Sequence, residues 1–136
     1  MVKRNNKEGV SSTNPEPEYI TYPVRIRVIS QKGACFTDHK VGQEWVCAYE
    51  PGPPKIPDIC PAALLPILYN LKALWWGAPI PAPVPDPDTF YCCCPDPLNP
   101  VVFELKRLID QPIRIHFSEK LDVYKDRKKI ESQLKS

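Results

Sequence analysis

Sulfur and imidazole are the ligating chemistry of this chain: Cys35, Cys47, Cys60, the run Cys92-Cys93-Cys94, His39 and His116. Zinc takes four soft or borderline ligands in a tetrahedron, from short-range pairs or from separate loops. Cys35 and His39 share one loop, Cys60 stands at an expected helix start, and Cys94 ends an expected strand before a proline turn. All three places are element ends, where ligands distant in sequence converge. A helix start also favours a thiolate, because its unpaired amides carry partial positive charge. On an extended chain Cys92 and Cys94 face one side and Cys93 the other. Cys47, between Trp45 and Tyr49, reads as a packed thiol, and His116, between Ile115 and Phe117, as a strand residue. Spacing alone leaves two readings open: a metal site, or several reduced buried thiols.

Other chemistry is poorly supplied. With two histidines, no Gly-rich phosphate loop and no Ser-His-Asp candidate, no catalytic residue is assigned. Asp96, between Pro95 and Pro97, is first a turn former. Glu104 reads as an outward or ion-paired strand residue, and Lys40 as solvated.

The 136 residues suit one domain with tails. A formal net charge of +2 gives nucleic acid no basic footprint. No apolar run approaches the ~18 residues of a membrane span. The polar start, Met1 to Glu8, lacks the apolar stretch of a secretory signal, so a cytoplasmic protein is expected. Reduced thiols there favour metal or redox chemistry over a disulfide frame.

Residues 1–21 are polar and proline-bearing and read as a flexible tail. Val24, Ile26 and Val28 alternate with Arg25, Arg27 and Ile29, which predicts a half-buried strand. Residues 43–49 predict a second strand, with Trp45, Cys47 and Tyr49 on one face. Leu64, Ile67, Leu68, Leu71, Leu74 and Trp75 form a helical stripe after Pro61, with Pro66 awkward inside it and Gly77 as its stop. Residues 78–88, where prolines alternate from Pro79 to Pro87, predict a polyproline-like arm. Strands are expected over 89–94, 101–106 and 113–117. From 118 to 136 a charged helix or tail follows, with Leu121, Tyr124, Ile130 and Leu134 as a loose apolar face. The expected fold is α+β: a small, mostly antiparallel sheet of four or five strands, one central helix, the arm and extended tails, with residues 22–117 as the domain.

Three segments together resemble a family of small, largely uncharacterised bacterial proteins. They are Gly33-x-Cys35-x-x-x-His39-Lys40-Val41-Gly42, then Ile59-Cys60-Pro61-x-Ala63, then Cys94-Pro95-Asp96-Pro97-x-Asn99-Pro100-Val101-Val102-Phe103-Glu104. Asp38 stands where that family usually has glycine, and Gln43 where it usually has aspartate. The resemblance implies a metal site of Cys35, His39, Cys60 and Cys94, with zinc ahead of an iron–sulfur cluster. It leaves Cys92 and Cys93 outside the motif, as bystander and packed thiol. More distantly, the chain resembles the small subunit of ATP-dependent ketone carboxylases of the acetone and acetophenone type. That implies an accessory subunit bound to larger protein subunits. The surplus of apolar residues in extended, proline-locked segments points the same way, with Trp75, Trp76 and Ile80 as interface anchors. Two alternatives stand beside it: a small metalloenzyme in which substrate displaces His39 from a catalytic metal, and a thiol-redox protein. Thiolate-rich zinc is a poor Lewis acid, which favours a closed structural site.

Overall fold

The computed structural model describes residues 18–51, 57–80, 85–116 and 127–135. The expected tail up to residue 17, the middle of the arm at 81–84, and Leu121 and Tyr124 of the C-terminal segment lie outside the described residues. Along the chain run β1 (Glu18–Thr21), β2 (Val24–Gln31), β3 (Glu44–Cys47), α1 (Pro61–Trp75), β4 (Thr89–Cys93), β5 (Val101–Arg107), β6 (Ile113–His116) and α2 (Arg127–Leu134). The fold is α+β, as expected. The chain divides into two compact units, and the larger, Ile20–Ile115, carries α1 and a four-stranded antiparallel sheet of order β3-β2-β5-β4. β1 and β6 form a separate two-stranded sheet. In the other unit, α2 is a charged helix with Ile130 half-buried and Leu134 exposed.

Alternation decides which face of the sheet is covered. Val24, Ile26 and Val28 of β2 and Val101, Phe103 and Leu105 of β5 point inward and are buried. Against them α1 lays Ala63, Ile67, Leu71 and Leu74, a stripe at helical spacing. Burying each larger side chain of this layer contributes about 1.5–3 kcal/mol. The opposite face is polar. Arg25 pairs with Glu104 at 3.5 Å and Arg27 with Glu44, both across neighbouring strands. A bulge between Val28 and Ser30 turns Ile29 outward and lets the Gly42 amide donate to the Val28 carbonyl at 2.9 Å.

Both ends of α1 follow from sequence. Pro61 takes the first turn, where a missing N–H costs nothing. Pro66 is accommodated inside the helix, and Asn70 Nδ2 donates to its carbonyl at 2.9 Å. Gly77, at φ +71°, ends the helix. The carbonyls released there meet a buried arginine: Arg107 Nε donates to Leu74 O at 2.9 Å, Nη2 to Ala78 O at 2.5 Å and Nη1 to Asp88 Oδ1 at 3.2 Å.

Two expectations need correction. Residues 18–21, expected in the tail, form β1, and Thr21 is fully buried with its hydroxyl donating to Tyr49 O at 2.8 Å. Tyr19, Ile20 and Thr21 are strand formers, and that local preference prevails over the polar character of the segment before them. Trp75, Trp76 and Ile80, expected as anchors, are half-buried. Trp75 and Ile80 pack on the core, Trp75 Nε1 donates to Cys47 O at 3.1 Å, and Trp76 lies against Tyr49. The second strand is also shorter than expected, and Tyr49 is exposed beyond its end.

Candidate metal centre

Sheet register brings the three motif segments together. Cys92 pairs with Phe103 and Cys93 with Val102, so Cys94 falls beside Val101 and its amide donates to Val101 O at 2.9 Å. On the other side of β5, Gln31 pairs with Val101, and the Lys32 amide donates to Pro100 O at 3.1 Å. The loop that follows β2 therefore begins next to the end of β4. The start of α1 covers the same corner, where Cys60 is the residue before the first turn. Cys35, His39, Cys60 and Cys94 all line one cavity of about 380 Å3.

A polar latch fixes the rim. Asp96 accepts the Leu98 and Asn99 amides at 3.0 and 3.2 Å, and Asn99 Nδ2 donates to its other oxygen at 3.2 Å. These bonds hold the Asp96 carboxyl below the usual range, the Asn99 side chain contributing most. Asn99 Oδ1 then accepts the Ala34 amide at 2.8 Å, one residue before Cys35. Gly33 makes the approach possible: a Cβ there would lie 2.3 Å from Asn99 Oδ1, and its φ of +70° suits glycine. The Gly-x-Cys and Asp-Pro-x-Asn spacings are thus two halves of one contact. Asp96 is the turn former expected of it.

His39 is buried, edge-on to Trp45 and Phe103. Its Nε2 accepts the Cys60 amide at 3.0 Å, so this nitrogen carries no proton. Nδ1–H therefore donates to Gln43 Oε1 at 3.0 Å, and the same oxygen accepts the Lys40 amide at 3.1 Å. Both ring nitrogens are committed. Placed this way, His39 ties the Cys35 loop to the helix start and offers no lone pair to the cavity. Gln43, where the resembled motif carries aspartate, completes that tie.

The thiols differ sharply. At Cys35 slight burial acts upward, but the Thr37 hydroxyl and the His39 and Thr37 amides outweigh it and lower the thiol from its ordinary value. The His39 amide donates to Cys35 Sγ at 3.4 Å. At Cys60 burial again acts upward and is outweighed by the Ala63 and Ala62 amides of the first helical turn, although no cap hydrogen bond closes. Cys35 raises the Cys60 thiol by its own charge, and Thr37 contacts both sulfurs, so the two are neighbours. Cys94 Sγ accepts the Val101 amide at 3.1 Å. Burial pushes Cys92 up to about 12 and also raises Cys47, whereas Cys93 is exposed. Among the described residues, no group of three or more His, Cys, Asp and Glu side chains is arranged to hold a metal ion. All six thiols are free, and one χ1 step carries each cavity sulfur to another staggered position. Thiols are soft donors of the kind thiophilic ions take.

Asn99, Gln43, Thr37 and Gly33 build the site without being candidate ligands. Their signal in the sequence is position: each lies within the motif segments, a few residues from a cysteine or His39. The fold and site define a small α+β protein with a thiol-lined cavity at one end of its helix. A scan against protein-family models found no match, and neither curated proteins nor solved structures yielded one. Among the described residues no helix is long and apolar enough to cross a membrane.

Proposed function

We propose that this chain is a small metal-binding accessory protein. Cys35, Cys60 and Cys94 hold a thiophilic divalent ion, zinc before an iron–sulfur cluster, and the ion ties the loop after β2, the start of α1 and the end of β4 into one unit. One observation carries the reading: cysteines from three remote segments line a single cavity. The lowered thiols of Cys35 and Cys60 support it, because the thiolate is the ligating form. Bound there, the ion would supply cross-linking stability. The residues that position the three thiols have simple roles. Asn99 holds the Cys35 loop, His39 holds the Cys60 amide, and Val101 orients Cys94.

The accessory role draws on what the domain leaves uncovered. Phe36 and Leu98 are strongly exposed near the cavity, and Leu65, Leu68 and Tyr69 are exposed on the outward side of α1. Together with the exposed parts of Trp75, Trp76 and Ile80 they are the contacts to larger protein subunits in this reading. The enzyme class, an ATP-dependent ketone carboxylase, comes from the resemblance alone. Elemental analysis of the purified chain, with Cys35→Ser, Cys60→Ser and Cys94→Ser made singly, tests the metal. About one equivalent of zinc in the wild type and its loss in each variant is the expected result. A metal-free, fully stable wild type sinks the reading. Co-purification from the native source, read by mass of the intact assembly, tests the subunit role, and a lone monomer would remove it.

A further inference from the structure

Two of the cavity cysteines are linked through the same two residues. The Thr37 hydroxyl contacts Cys35 Sγ at 3.5 Å and also bonds Cys60 Sγ. His39 reaches both as well: its amide donates to Cys35 Sγ at 3.4 Å, and its ring Nε2 accepts the Cys60 amide at 3.0 Å. We infer that Cys35 and Cys60 are a redox pair, which exchanges with a small disulfide from solution and closes a reversible bond between the loop after β2 and the start of α1. The inference needs no ion and goes beyond the metal reading, since it gives the corner a reaction of its own.

Placement carries it. Two sulfurs bonded to one hydroxyl stand no further apart than two hydrogen bonds end to end, and one staggered step of χ1 turns a sulfur to a new side. Both thiols are free, and both line the cavity of about 380 Å3, which gives a small disulfide room beside them. Cys94 lines it too, but its sulfur is held by its own turn, accepting the Val101 amide at 3.1 Å and donating to the Asn99 carbonyl at 3.8 Å. Cys47 belongs to the core and Cys92 packs against it. Cys93 is exposed, and with its neighbours in sequence it closes only a strained ring.

The exchange balances with the small disulfide as its one co-reactant. One thiolate of the pair attacks a sulfur of that disulfide, whose S–S bond breaks and releases a small thiolate. The second protein thiolate attacks the mixed disulfide at the protein sulfur and releases the other small thiolate. The pair loses two electrons, the small disulfide gains them, and the two protein thiol protons end on the two released thiols. Excess small thiol runs the same steps backward.

The test uses the full-length reduced chain, freed of metal with a chelator and exposed to oxidised glutathione. Acid quenching and peptide mapping by mass spectrometry, without reduction, read which thiols have joined. The expected result is a Cys35–Cys60 bond in at least tenfold excess over every other pair, reversed by excess reduced glutathione. In urea that preference should vanish, because the fold is what sets Thr37 and His39 against both cysteines. Cys94→Ser should leave the bond in place, and Cys60→Ser should stop the reaction at a mixed disulfide on Cys35. Pairing spread evenly over the thiols of the folded wild type, or glutathione left standing on its Cys35, overturns the inference. A bond that forms through Cys94 instead overturns the choice of pair. These outcomes are read on the wild type, so a variant that fails to fold does not obscure them. Metal content is measured on an unchelated sample, so the metal reading stands or falls separately.

Discussion

The two ends of α1 are fastened by opposite means. At the C-terminal end one buried cation, Arg107, spends its guanidinium on two main-chain carbonyls and the Asp88 carboxylate. At the N-terminal end no described lysine or arginine lines the cavity: neutral hydrogen bonds from Asn99 and His39 hold a hollow lined by thiols. Both arrangements agree with the helix dipole, which favours positive charge at the C-terminus and anionic groups at the N-terminus. The difference lies in completeness. The Arg107 end is satisfied by the chain alone, whereas the thiol end has donors to spare.

That contrast is open to attack from either side. Arg107→Met should have the largest effect, since it removes a buried charge, takes the donor from the Ala78 carbonyl and Asp88, and leaves Leu74 O with the Gly77 amide alone. A loss of about 3–5 kcal/mol is expected in urea unfolding, and a loss below about 1 kcal/mol would mean the clamp is ornamental. Gly33→Ala attacks the hollow end. Its Cβ collides with Asn99 Oδ1 and its φ of +70° becomes strained, so a cost of about 2 kcal/mol is expected, together with weaker zinc uptake on the same samples. Arg107→Met, where it still folds, should leave zinc stoichiometry unchanged.

Thiol labelling compares the cavity thiols with the packed ones without mutation. With a limiting alkylating agent at mildly alkaline pH, the metal-free chain should react at Cys35 and Cys60 at least tenfold faster than at Cys47 and Cys92. The first two thiols are lowered by hydrogen bonds and the others raised by burial, Cys92 to about 12. Mapping by mass spectrometry reads the order, and equal rates would erase the contrast. The sign also fixes a pH dependence. Because the folded Cys92 thiol titrates above its ordinary value of 9.0, its contribution to stability is present below about pH 9 and lost as pH rises toward 12. Cys92→Ala should make that alkaline decline shallower. The smallest effect belongs to Asp38→Gly. Asp38 sits at φ +58°, so glycine should relieve strain and stabilise by less than about 1 kcal/mol.

Much of the sheet and helix was legible because burial there is one-sided. The alternation of Val24, Ile26 and Val28 and the stripe of Ile67, Leu71 and Leu74 follow directly from a face that water does not reach. β1 was not, since four residues after a polar segment give no period to read. Neither were the fates of Trp75 and Trp76, because an aromatic pair at a helix end has the same sequence signature whether it meets its own domain or a partner. At the site, element ends pointed to Cys35, Cys60 and Cys94 as neighbours, and all three line the cavity. The state of His39 was beyond reach. Whether an imidazole offers a lone pair depends on what its two nitrogens already touch, and the Cys60 amide and Gln43 meet it only in the folded chain.

The contact between Ala34 and Asn99 spans 65 residues, and this separation has a consequence during synthesis. At translation rates of roughly 5–20 residues per second, the partner of the Cys35 loop arrives on the order of 3–13 s after the loop itself. Cys35 spends that interval without the turn that later fixes its loop, and Cys60 emerges inside the same window. Ions and oxidants in the surrounding medium therefore meet these two sulfurs before the third is made. The order of the cysteines along the chain, as much as their final placement, sets which thiols are exposed together before the domain closes.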